Sequence, residues 1–259
     1  MTFEVTPLIE QTIIAAATVI VFRRAAGRMP ELLMVQRSKA LSFAGAAAVF
    51  PGGKVQLSDC ILSQKFDWLE ADEAAARIAA IRETLEETGL ILGVDCAPTA
   101  SQAIAARSMV LGNEDLGPIL THFGWGLDLA ALVPFARWVP TFKPGRVFDT
   151  RFYLADLGTG NVELSPDLGE NTHLFWVSAV EALEMVEDAR LQMIYPTRRN
   201  LERLAQFSSF AEVCDHVAAT VQEVISPWTE YRNGIEMLCI PENLGYPVSA
   251  APLSQAFLS

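Results

Sequence analysis

The sequence predicts an α/β (α+β) fold, an α/β/α sandwich with a mixed central sheet and helical insertions. Three observations carry this. Residues 18–22, 32–38 and 48–50 are apolar runs separated by turn residues and read as successive strands. Residues 72–88 set Ala74, Ile78, Ile81 and Leu85 at i, i+4, i+7 and i+11, one apolar stripe of a helix. Strand-like runs at 135–139, 148–154 and 172–177 are followed by helical patterns at 180–187 and 197–207, expected on the sheet face opposite the first helix.

The elements follow in order. Residues 24–30 form a hairpin-type connection between the first two strands. The third strand runs into Pro51-Gly52-Gly53, where two glycines let main-chain groups approach a neighbour closely. An insertion at about 60–73 is expected to pack through Phe66, Trp68 and Leu69. The helix 72–88 is capped by Asp72 or the region just before it, and Gly89 suits its end. Ala79 and Ala80 should leave space on the acidic side. A second insertion at about 97–131 reads as two helices, from Pro98 to about Leu111 and from Asp115 to about Leu132. Such helices wall a pocket or simply enlarge the core. Residues 208–224 form a further helix capped by Ser208. The tail from 226 reads as irregular, with one short strand at 237–240.

Composition narrows the function classes. The net charge of −12 argues against nucleic acid and against an anionic membrane surface as partners. A small phosphorylated substrate stays compatible, because a metal and a few cations can reverse the local field. Cys60, Cys96, Cys214 and Cys239 are scattered without metal-binding spacing, as expected of free thiols in a reducing cytoplasm. The apolar run 13–22 is too short to span a membrane and has no basic flank before it. Phe257-Leu258-Ser259 is not the peroxisomal tripeptide.

Chemistry concentrates in Arg82-Glu83-Thr84-Leu85-Glu86-Glu87-Thr88-Gly89-Leu90. Glu83, Glu86 and Glu87 lie on neighbouring turns of one helix face, where like charges destabilise unless something neutralises them. A solvated acidic face is the plain alternative. A hard divalent cation such as Mg2+ prefers carboxylate oxygens, often shared with substrate phosphates. Arg82 has a planar fork that can hold one carboxylate in place.

A strand, a P-G-G turn and then this helix resemble the Nudix box, G-x5-E-x7-R-E-U-x-E-E-x-G-U, with U a bulky apolar residue. Arg82, Glu83, Glu86, Glu87, Gly89 and Leu90 fall in register, while Thr84 stands at a U position. From Gly53 to Arg82 the chain carries about fifteen more residues than the uninterrupted pattern. Counting forward from Gly53 gives Asp59 for the first acidic position; counting back from Arg82 falls one position from Glu73. The interruption, with Val49-Phe50-Pro51-Gly52-Gly53, Phe148-Asp149-Thr150-Arg151-Phe152-Tyr153, Trp176-Val177-Ser178 and Tyr195-Pro196-Thr197, is similar to the branch of coenzyme A diphosphatases and their bacterial relatives.

The resemblance implies a Nudix hydrolase domain over 8–206, with 207–259 packed on it as an extension. It implies a pyrophosphohydrolase acting on a nucleoside diphosphate derivative, with coenzyme A or acyl-CoA ahead of ADP-ribose or a dinucleotide. A nucleotide sensor on the same fold is the alternative of another class. Mg2+ or Mn2+ would sit on Glu83, Glu86, Glu87 and the Gly53 carbonyl, with Glu86 and Glu87 serving catalysis and Arg82 orienting them. Glu170 is the first candidate for a general base, with Glu163 and Asp167 behind it. Arg37, Lys54 and Arg151 are the candidate phosphate contacts, each with a surface charge as the plain alternative. His122, His173 and His216 have no assigned partner. A homodimer is left open.

Overall fold

The computed structural model describes residues 11–24, 29–37, 47–113, 115–140, 145–158, 164 and 171–256. The chain opens with strands β1 (Thr12–Arg23), β2 (Glu31–Arg37), β3 (Ala47–Val49) and β4 (Gly52–Lys54). Four helices follow: α1 (Leu57–Ser63), α2 (Ala71–Thr88), α3 (Ala100–Leu111) and α4 (Leu116–Phe123). Strands β5 (Val133–Trp138), β6 (Arg146–Asp156) and β7 (Asn171–Ser178) lead to α5 (Ala179–Glu187), β8 (Gln192–Met193), α6 (Tyr195–Leu204) and α7 (Phe210–Ala219). The chain continues through β9 (Val224–Ile225), β10 (Trp228–Arg232), β11 (Ile235–Cys239) and β12 (Ala250–Pro252), and closes on the short α8 (Leu253–Ala256).

The central sheet is mixed. Its order is β8-β3-β2-β1-β6-β5-β9, with β4 also paired to β1 and β7 to β2. β1 runs parallel to β6 along its whole length. Its other edge is divided: Ala16–Thr18 pairs with β4, and Phe22–Arg23 pairs with β2. Successive side chains of a strand point to opposite faces, so each sheet face gets its own core. Ala17, Val19, Val21 and Leu33 pack with α2. Ile20, Phe22, Leu32 and Met34 pack with α5, α6 and α7 through Ala182, Leu201, Leu204, Val213 and Val217. Helices on both faces explain why β1 reads as a continuous apolar run rather than an alternating one.

α2 begins after Glu70 and ends at Gly89, whose φ of 76° is the left-handed turn that Gly adopts without strain. The helix is more deeply buried than one apolar stripe requires. Every residue from Ala74 to Arg82 is buried, because β1 and β4 lie under it and α1 and α3 flank it. Ala79 and Ala80 therefore leave no space beside the carboxylates. They are core residues, small enough to let neighbouring elements close in.

The insertions and α7 differ in detail from the sequence expectation. In the first insertion Phe66 and Leu69 pack inward, but Trp68 is 58% exposed. The second helix of the second insertion stops at Phe123, because Gly124 (φ 69°) turns the chain out and Val94 and Leu127 then bridge. α7 is capped by Ser209 rather than Ser208 and ends at Thr220, after which β9 joins the central sheet beside β5. The tail is not irregular. β10, β11 and β12 form an antiparallel sheet, turned at Asn233 (φ 51°) and Gly234 (φ 79°). Asn-Gly between two strand-like runs is a strong hairpin signal, and it was present in the sequence. Among the described residues no helix is long and apolar enough to cross a membrane.

Candidate active site

Arg82 is the centre of the acidic cluster. Its Nε donates to Asp59 Oδ1 at 3.1 Å and its Nη2 to Asp59 Oδ2 at 2.9 Å, a two-pronged ion pair. Nη2 also donates to the Lys54 carbonyl at 2.9 Å, and Nη1 reaches Glu83 at 3.0 Å and Glu86 at 3.4 Å. One buried guanidinium thus ties together α1, β4 and α2. Burial opposes its charge, but the Asp59 hydrogen bond and the Glu83 and Asp59 charges outweigh this and raise its pKa. Asp59 also accepts the Gln56 N–H at 2.9 Å, so the same carboxylate starts α1 and anchors Arg82. This decides between the two acidic positions. Glu73 lies a full ten residues before Glu83 and pairs with Arg77 at 2.9 Å and Arg151 at 3.3 Å.

The glycine turn meets the carboxylates directly. A Cβ on Gly53 would meet the Glu83 carboxylate, which would have to turn away from the glycine turn. The Gly52 N–H donates to Glu87 Oε2 at 3.0 Å. Glu83 is pushed up to about 7, first by burial and then by the neighbouring Glu86, against the opposing pull of Arg82. Thr84 fills its buried apolar position by donating its hydroxyl to the Ala80 carbonyl at 2.7 Å, which satisfies the polar atom inside the helix.

Four carboxylates, those of Asp59, Glu83, Glu86 and Glu87, gather around Arg82 and the Gly52-Gly53 backbone. Among the described residues no three His, Cys, Asp or Glu side chains stand arranged to hold a metal ion. Glu83 and Glu86 are turned onto Arg82, and Glu87 onto Gly52. The donor chemistry nevertheless fits a hard divalent cation, since it is all oxygen and strongly anionic, and Glu83 is strained by burial in its charged form.

The other candidates scatter. Lys54 is next to Gly53 with an exposed side chain. Arg37 ends β2 with its Nε buried and without a hydrogen-bond partner among the described residues. Arg151 is not brought to the cluster. It is held by Asp72 at 2.5 Å and Glu73 at 3.3 Å near the start of α2, about 16 Å along the helix from Glu83. On β6 it pairs with Ala17 of β1, but its side chain turns to the start of α2. Glu163, Asp167 and Glu170 lie outside the described residues. His173 stacks on Phe175, His122 meets Phe123 edge-on, and His216 accepts from Arg203. An apolar groove of about 460 Å³, lined by Val180, Leu183, Glu184 and Glu187, lies on the α5 side of the sheet, away from these carboxylates.

Sequence reasoning missed Arg107 on α3. It is buried and donates to the Glu86 carbonyl at 3.0 Å and to the Glu87 carbonyl at 3.2 Å. The signal was an arginine within the apolar run Ala103-Ile104-Ala105-Ala106-Arg107, where a charge needs a buried partner.

Residues 13–102 match the model of the NUDIX domain. The chain carries a Nudix domain. α2 is its Nudix helix, and α1 and α3 flank that helix. Acyl-coenzyme A diphosphatase NUDT19 of Gallus gallus is 28% identical over 242 residues, covering 71% of this chain and 63% of that protein. The Homo sapiens protein of the same name is 25% identical over 173 residues, 61% of this chain and 46% of that one. The chain therefore spans less than two thirds of the length of these curated relatives. The crystal structure of a NUDIX hydrolase from Alicyclobacillus acidocaldarius is 27% identical, with a TM-score of 0.67, over 79% of this chain and 96% of that one. The mixed sheet with helices on both faces is the Nudix fold.

Proposed function

We propose that the chain is a divalent-metal-dependent pyrophosphohydrolase that cleaves the diphosphate linkage of a nucleoside diphosphate derivative. The observation that carries this is the meeting of Glu83, Glu86 and Glu87 with the Gly52-Gly53 turn around one buried arginine. Glu83, Glu86, Glu87 and the Gly53 carbonyl would hold Mg2+ or Mn2+. Bound there, such an ion would neutralise phosphate charge and lower the pKa of a coordinated water. The chain's own part is positional. Arg82 and Asp59 fix the helix against the turn, and Gly53 keeps the approach open. Glu170 is the proposed base that takes the proton of the attacking water. Lys54 and Arg37 are the remaining proposed phosphate contacts.

Coenzyme A or acyl-CoA is the first substrate class, supported by the names of the curated relatives. ADP-ribose and dinucleotides are next. The proposed organisation keeps 8–206 as the hydrolase domain and 207–259 as an extension on it, acting in the cytoplasm.

The test is product release from CoA, acyl-CoA, ADP-ribose, NADH and diadenosine polyphosphates with Mg2+ or Mn2+. Glu86→Gln and Glu87→Gln should each lower kcat by about 100-fold or more while leaving the circular dichroism unchanged. Glu170→Gln should lower kcat at unchanged metal affinity. Silence across the panel with both metals, together with tight binding of one nucleotide, would replace the enzyme by a sensor.

A further inference from the structure

A helix leaves its last carbonyls without intrahelical donors, and its C-terminus carries partial negative charge. The Nudix helix has this problem in an acute form. Its last turn contains two glutamates and no basic residue. Gly89 satisfies the Leu85 carbonyl, and the Thr88 hydroxyl reaches the Thr84 carbonyl. The chain leaves the helix at Gly89, just past the carbonyls of Glu86 and Glu87. Both accept from Arg107, which arrives from α3 in the insertion that follows the Nudix box. Arg107 is 8% exposed, so its charge acts in a poorly solvated place, beside the backbone of two of the three clustered glutamates.

We propose that Arg107 is a positioning residue for the metal site. Its two-pronged grip on the Glu86 and Glu87 carbonyls fixes the last turn of the Nudix helix, and with it the direction of both side chains. Its charge offsets the negative helix end at the point where the carboxylates crowd. The insertion 97–131 then does more than wall a pocket or enlarge the core, because it supplies the cation that the last turn of the Nudix helix lacks. Lysine would keep the charge but lose the fork, so Arg107→Lys should be intermediate. The inference rests on the metal-dependent reading above.

The experiment is Mn2+ titration of the full chain, followed by the paramagnetic resonance of free and bound Mn2+. Wild type, Arg107→Met, Arg107→Lys and Glu87→Gln are compared, with thermal unfolding of each. Arg107→Met should weaken Mn2+ binding roughly tenfold, as loss of an outer partner of metal ligands does. Arg107→Lys should fall between it and wild type, and added ethylguanidinium should restore part of the Arg107→Met loss. Should Arg107→Met fail to fold, Arg107→Lys decides, and wild-type Mn2+ affinity and spectrum in that variant would overturn the proposal. Mn2+ binding lost in Glu87→Gln but unchanged in folded Arg107→Met overturns this inference alone. Wild type that binds no Mn2+ overturns the metal-dependent reading, and this inference with it.

Discussion

Glu83 holds its charge against two costs, burial and the nearby Glu86, and Arg82 compensates for only part of them. The carboxyl titrates near 4.5 when unfolded and at about 7 in the folded chain. Between those values the folded form keeps a proton that the unfolded form has lost. The stabilisation from this group is therefore complete below 4.5 and is lost as pH rises through 7 in the metal-free chain. A divalent cation favours the carboxylate and competes with that proton. Mn2+ affinity should rise from about pH 5.5 to about pH 7.5 and then level, a consequence of ligand deprotonation. Titrations of Mn2+ across this range check it, and an affinity flat with pH would exclude Glu83 as a ligand that must ionise.

At the scale of elements, the Arg82–Asp59 pair joins α1 to the Nudix helix with side chains 3% and 1% exposed. Removing one partner of a buried pair costs about 3–5 kcal/mol, because the other charge is left uncompensated. Glu83 and Glu86 still face Arg82, so Asp59→Ala should lie near the lower end, about 3 kcal/mol. Urea unfolding measures this, and a loss under about 1 kcal/mol would show that the pair is dispensable. Element boundaries were legible where a local signal was strong. Residues 72–88 carried both an apolar period and a terminal glycine, and α2 spans Ala71–Thr88. The tail sheet was missed because its strands are short and β10 is largely exposed, so no long buried face writes an alternating pattern. Its Asn233-Gly234 turn was the readable part.

For the molecule as a whole, α6, α7 and the tail close the core on one face of the central sheet. Arg203 of α6 is 2% exposed and donates its Nε–H to His216 Nε2 of α7 at 3.1 Å, while Tyr246 of the tail covers its guanidinium. His216 can accept only when neutral. Burial and then the Arg203 charge lower its pKa below 6.5. Its contribution is complete above pH 6.5 and is lost as pH falls through the lower folded value. His216→Gln keeps an acceptor that does not titrate, so its stability should fall less steeply than wild type on acidification below about pH 6.5. Urea midpoints at several pH values test this, and parallel profiles for the two proteins would remove His216 from the acid response.

The sequence by itself determined the α/β class, the Nudix helix and the Gly52-Gly53 turn, because each is written in local spacing. Carboxylates at i, i+3 and i+4 share a helix face whatever surrounds them. Only the tertiary structure decided which distant groups meet them. It chose Asp59 over Glu73, drew Arg151 to Asp72 and away from the cluster, and brought Arg107 from α3 to the end of the Nudix helix. Those choices join residues some twenty to eighty positions apart and depend on how α1, α3 and β6 pack around α2. A buried charge takes the partner that packing brings within reach, and no spacing rule along the chain encodes that partner.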